Sequence, residues 1–146
     1  MTNSGPRSTQ TALPMALLRA REAVMARFRP LLDAHGINEQ QWRVIRVLAE
    51  HDSLDASALA AQANILAPSL TRMLRSLTER GLIARARDAG DGRRALLSIT
   101  ERGRALIEAV TPHARAAYDR IDAEFGPDRV ARLIALLDEL AQLPPE

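Results

Sequence analysis

The chain has 146 residues, the size of one domain around one main core, and its 47% apolar and 26% charged residues are too apolar for a disordered protein. It has no cysteine, which excludes disulfides, thiolate metal sites, cysteine nucleophiles and thiol redox sensing, and aromatics at 3% leave an aliphatic core. All 20 basic residues are arginine against 18 acids, so the net charge is only +2, and no apolar run nears the ~20 residues needed to span a bilayer.

Residues 1–12 read as a flexible polar arm without the apolar stretch of a signal peptide, so a cytoplasmic location and no membrane contact are expected. The first helix is predicted from Leu13 to about His35, with Leu17, Ala20, Val24, Phe28 and Leu31 forming one apolar stripe. Pro14 suits its first turn, Pro30 sits near its end, and Gly36 supplies a left-handed stop. Asn38 with Gln41 makes a capping-box pattern for a second helix over Glu39 to Glu50, burying Trp42, Ile45, Leu48 and Ala49. His51-Asp52-Ser53 is a polar break, and Asp55 caps a short helix from Ala56 to Asn64.

A fourth helix starts near Pro68 and stops at Gly81. Leu70, Met73, Leu74 and Leu77 share its inner face. Ser69, Arg72, Ser76 and Glu79 fall opposite, with Arg75 at the margin. Two strands follow, Leu82 to Asp88 and Ala95 to Ile99, joined by Ala89-Gly90-Asp91-Gly92 and decorated by Arg85, Arg87, Arg93 and Arg94. Thr100 caps a long helix to Phe125 that contains Pro112, and a last helix runs from Pro127 to Gln142.

The chain is therefore expected to be mainly α with a small β-hairpin: a winged helix-turn-helix over 37–100, flanked by helical regions at 13–36 and 101–143. The outer helices carry apolar stripes that a three-helix core cannot cover, which implies a second copy and a dimerisation role. Charge is gathered in the middle, where residues 67–104 hold nine arginines against four acids. Such a patch attracts a polyanion. Pro68, Ser69, Thr71, Arg72, Arg75 and Ser76 are the candidates for a major groove of double-stranded DNA, and Arg93 and Arg94 for the adjacent minor groove. His35, His51 and His113 lie in separate elements without metal-ligand spacing, and no catalytic motif or metal site is read, so an enzyme is not expected.

The segment Ala67-Pro68-Ser69-Leu70-Thr71-Arg72 and the run Asp91-Gly92-Arg93-Arg94 leading to Leu97-Ser98-Ile99-Thr100-Glu101-Arg102-Gly103 resemble the MarR family of bacterial regulators. Phe28-Arg29-Pro30 and Glu39-Gln40-Gln41-Trp42-Arg43 are most similar to its subgroup governing homoprotocatechuate degradation, with nicotinate-degradation regulators related. The resemblance implies a homodimeric repressor on a pseudopalindromic operator, with Asp91 supporting the wing by pairing with a neighbouring arginine. It also implies relief of repression by a small aromatic carboxylate effector and no other cofactor.

An aromatic acid needs a cation for its carboxylate and an apolar wall for its ring. Met15, Arg19, Met25, Trp42, Arg46 and His51 are the ligand-binding candidates. Each has a structural alternative: Trp42 as core anchor, the arginines as dimer ion pairs, His51 as a helix-end residue and the methionines as core filler. A DNA-binding regulator of the same fold without an effector is the alternative that the residues leave open.

Overall fold

The computed structural model describes residues 8–146, so residues 1–7 of the polar arm lie outside the described residues. Residues 8–12 form a hydrogen-bonded turn in which the Ser8 carbonyl accepts from the N–H groups of Thr11 and Ala12, both at 3.0 Å. The chain divides into two compact units, one ending at Val110 and one starting at Thr111.

In the first unit the order is α1 (Leu13–Asp33), α2 (Glu39–Ala49), β1 (Leu54–Asp55), α3 (Ala56–Ala63), α4 (Ala67–Glu79), β2 (Ile83–Arg87) and β3 (Ala95–Ile99), followed by the start of α5 (Glu101–Phe125). α1 ends where Gly36 takes φ +69°, a conformation that costs glycine nothing. The capping box forms as its sequence dictates: Asn38 Oδ1 accepts from Gln41 N at 2.8 Å, and Gln41 Oε1 accepts from Asn38 N at 3.0 Å. α2 buries Val44, Ile45 and Leu48, whereas Trp42 is half-buried rather than a core residue.

β1 was not legible as a strand. It is two residues long, and its pairing is non-local: Leu54 sits opposite Leu97 and Asp55 opposite Leu96. The sheet order is β1-β3-β2, antiparallel throughout, with Ile83 opposite Ile99 and Arg87 opposite Ala95. α3 stops one residue before the expected Asn64, which turns left-handed at φ 59°, and Arg43 Nη1 donates to the Ala63 carbonyl at 2.9 Å. α4 buries Leu70, Met73, Leu74 and Leu77, the four residues of its expected inner face. Leu59, Leu77 and Leu97 are fully buried with Val44, Ile45 and Leu48, so three helices and the sheet close one aliphatic core.

The junction from β3 into α5 rests on two residues. The Thr100 hydroxyl donates to the Gly81 carbonyl at 2.7 Å and accepts from Gly103 N at 3.0 Å. A Cβ on Gly103 would lie 2.4 Å from the Leu82 carbonyl oxygen, so only glycine fits there.

The second unit contains the remainder of α5 and α6 (Pro127–Ala141), with Gly126 at φ 107° between them. The Arg129 guanidinium stacks over the Phe125 ring at 4.0 Å. No residue of α6 is buried, and Leu133, Ile134, Leu136 and Leu137 are exposed. In the first unit, Leu13, Leu17, Leu18 and Val24 of α1 are exposed as well, while its C-terminal residues Phe28 and Leu32 are buried. Thus the expected stripe of α1 is covered only from Phe28 onward. Among the described residues no helix is long and apolar enough to cross a membrane.

Candidate nucleic-acid interface

α4 and β2 line a groove of about 710 Å³ bounded by Pro68, Thr71, Arg72, Arg75, Glu79 and Arg85, among others. The amphipathic spacing of α4 produces one side of it, because burying Leu70, Met73, Leu74 and Leu77 turns Ser69, Thr71, Arg72 and Arg75 outward. The alternation of β2 produces the other. None of Arg72, Arg75 and Arg85 makes an ion pair with a described residue. Three guanidinium groups against the single carboxylate of Glu79 make the groove electropositive. Ser76 is half-buried, less outward than expected from its spacing. Arg85, read from sequence only as decoration of the hairpin, belongs to this groove, and the signal for it is the pairing of β2 with β3 that fixes which way residue 85 faces.

The wing is braced from several sides. Arg94 Nη2 lies 2.9 Å from Asp55 Oδ2, its Nε donates to the same oxygen at 3.0 Å, and Nη1 is 3.5 Å from Asp88 Oδ2. Arg94, a minor-groove candidate with Arg93, is therefore tied to β1 while remaining exposed. Asp91, expected to pair with a neighbouring arginine side chain, instead accepts through Oδ1 from the Arg93 backbone N–H at 3.0 Å; the arginine that pairs with carboxylates here, Arg94, pairs with Asp55 and Asp88. Arg87 Nη1 donates to the Gly92 carbonyl at 2.6 Å, tightening the same turn. Arg93 is exposed and makes no ion pair with a described residue.

Asp55 joins three parts of this arrangement. It pairs in β1, caps α3 by accepting from Ala58 N at 2.8 Å, and holds Arg94. The Ala58 N–H above all keeps its carboxyl below the usual range; burial opposes this, and the Arg94 guanidinium and the Ser57 N–H add to the lowering.

The effector candidates are only partly brought together. The Arg46 guanidinium lies over the Trp42 ring, 5.7 Å from its centroid, as their four-residue spacing on α2 permits. Arg19 instead holds the N-terminal turn, donating to Gln10 Oε1 at 2.9 Å and to the Gln10 carbonyl at 2.8 Å. His51 Nε2 is 2.8 Å from Gln62 Oε1, which ties the end of α2 to α3. Met15 and Met25 are half-buried on α1. A cleft of about 300 Å³ lies between α1 and α2, lined by Arg29, Leu32, Asp33, Asn38, Glu39 and Gln40, and none of the six candidates lines it. Two of its charges are already paired: Arg29 makes a two-point ion pair with Glu22, and Glu39 pairs with Arg21 and Arg43. Among the described residues no cluster of His, Asp and Glu could hold a metal.

The MarR family profile matches residues 37–95, the stretch from the start of the α2 cap to the wing. The chain is 41% identical over 132 residues to the homoprotocatechuate degradative operon repressor of Escherichia coli, covering 90% of this chain and 89% of that protein. It is similar to the solved structure of NadR in complex with 4-hydroxyphenylacetate, with 40% identity, a TM-score of 0.80 and coverage of 96% of this chain and 99% of that one. The repressor CouR, solved on a 23-mer DNA duplex, superposes with a TM-score of 0.85 at 27% identity, over 95% of this chain and 100% of that one. Fold, basic groove and likeness agree, and the chain belongs to the MarR family as a DNA-binding transcriptional repressor, not an enzyme.

Proposed function

We propose that the protein acts as a homodimer on a pseudopalindromic operator and leaves it when a small hydroxylated aromatic or N-heteroaromatic acid binds, so controlling aromatic-compound catabolism. In this reading α4 enters the major groove with Pro68, Ser69, Thr71, Arg72, Arg75 and Ser76, and Arg93 enters the minor groove while Arg94 and Asp91 hold the wing in shape. Arg85 adds a phosphate contact from β2. The groove is the observation that carries the reading: its three guanidinium groups make no ion pair with a described residue and outnumber the one carboxylate, Glu79, that lines it, so the excess positive charge suits a phosphate backbone.

The regions 13–36 and 101–143 serve dimerisation, supported by the exposed apolar side chains on α1 and on α6. Residues 37–100 form the winged DNA-binding region. Trp42 with Arg46 is the best-supported part of the effector site, since an exposed guanidinium beside an indole offers both a carboxylate partner and a ring wall. Arg19 and His51 are each engaged in part, by Gln10 and by Gln62. The relatives that act in homoprotocatechuate degradation or bind 4-hydroxyphenylacetate support an acid of this class.

Titration of hydroxyphenylacetates, hydroxybenzoates and hydroxynicotinates into an operator complex, followed by fluorescence anisotropy, tests the reading. At least one acid is expected to release the wild type, and Arg46→Ala is expected to bind DNA and ignore that acid. Retention on DNA with every acid would refute the effector and leave a constitutive regulator.

A further inference from the structure

Leu66 stands out at the start of the DNA-reading helix. It is 79% exposed, although the residue before it, Ile65, is buried at 8%. Leu66 is also the N-cap of α4, with φ −67° and ψ 140°, and no side chain caps that end of the helix. The backbone there suits Ser, Thr, Asp or Asn, any of which would accept from a free N–H of the first turn, and leucine is among the weakest residues for the position. Leucine at 66 is thus unfavourable twice over in the free protein, once as an uncapped helix end and once as wetted hydrocarbon. Ala67 and Pro68 beside it are exposed too, so the helix leads with an apolar edge, followed by Ser69, Thr71 and Arg72.

We infer that Leu66 determines sequence specificity by packing against the 5-methyl group of a thymine in the major groove. The inference rests on α4 being the helix that enters that groove. The N-terminal residues of a recognition helix reach base edges, and the thymine methyl is the apolar group that those edges present. Docking would cover the leucine, and the unfilled N–H groups of the same helix end would meet a phosphate.

The wild type and the variants Leu66→Ala and Leu66→Ser each select duplexes from a randomised library, and every thymine of the wild-type duplex is then replaced singly by deoxyuridine, which removes only the methyl. One thymine per half-site is expected at which this replacement weakens wild-type binding about fourfold, the value of one buried methyl, and leaves Leu66→Ala binding unchanged. Leu66→Ser is expected to raise Tm while lowering affinity, a pair of opposite signs that a structural role for Leu66 would not produce. Identical deoxyuridine profiles for wild type and Leu66→Ala would overturn the inference, as would a lowered Tm for Leu66→Ser. A change of oligomeric state in Leu66→Ala without a change of profile would overturn it in favour of an interface between copies. A wild type that enriches no duplex would overturn the DNA-docking reading of α4 and this inference together.

Discussion

Arg93 and Arg94 are adjacent in the chain, yet Arg94 turns back to Asp55 and Asp88 while Arg93 stays exposed at the turn. Substituting them one at a time separates contact from support. Arg93→Ala is expected to keep the wing folded and to reduce the slope of log K against log salt by up to about 0.9, the effect of one positive charge lost from between the phosphates that flank the minor groove. Arg94→Ala is expected instead to speed amide exchange over 88–94, because the ion pairs that fix the turn are gone. Equal exchange and equal salt slopes in the two variants would remove the distinction. From sequence the two were indistinguishable, since both follow Asp91-Gly92 and neither pairs with an acid close by in a helical register. The closer partner of Arg94, Asp55, is 39 residues away and is brought near by the pairing of β1 with β3.

Asp55 gives the same locality a pH dependence. Its folded carboxyl titrates below the usual range, held there by the Ala58 N–H and by Arg94. Such a group stabilises the fold above the unfolded carboxylate pKa, about 3.9, and that contribution is lost as pH falls through the lower folded value. Asp55→Asn keeps a cap acceptor but cannot ionise. Urea unfolding between pH 5 and pH 2.5 is therefore expected to show a shallower loss of stability in the variant than in the wild type; parallel curves would mean that Asp55 contributes nothing to acid sensitivity.

Helices were the legible elements. α4 follows from four apolar residues at steps of three and four between Pro68 and Gly81, and the structure buries those four. α2 follows from its capping box, a purely local signal. β1 carries no such signal, because two residues have no period and its partners are Leu96 and Leu97. The link from β3 to α5 lies between these cases. Thr100 as a cap could be read from sequence, whereas the need for glycine at 103 comes from the Leu82 carbonyl and the Ile99 side chain pressing on that position. Gly103→Ala is expected to destabilise the fold by about 1–3 kcal/mol in urea unfolding, since backbone rather than a flexible side chain must give way. A variant as stable as the wild type would show that this junction relaxes easily.

At the scale of the molecule, exposed leucines on α1 and on α6 are the remaining debt of the fold. Soluble monomers rarely leave large apolar patches uncovered, and the proposed twofold pair would cover these with identical surfaces. Glutamate at both Leu133 and Ile134 is expected to shift the protein to a monomer in sedimentation analysis and to abolish the preference for two half-sites over one. Intact dimers in that variant would move the interface elsewhere. In a dimer the two α4 helices are expected to address half-sites about 34–36 Å apart, which is one turn of the duplex.

Local physics made much of this chain readable in advance. Helix stripes, caps, glycine stops, the hairpin and the concentration of arginine in the middle third depend on residues within a few positions of one another, so order along the chain determined them. What each arginine does depended on contacts that order does not encode: Arg94 at Asp55, Arg85 in the α4 groove, Arg19 on Gln10 and Arg43 on the end of α3. A guanidinium on a long, flexible stem takes whichever acceptor folding brings within reach, and only the packed helices and sheet decide which one that is.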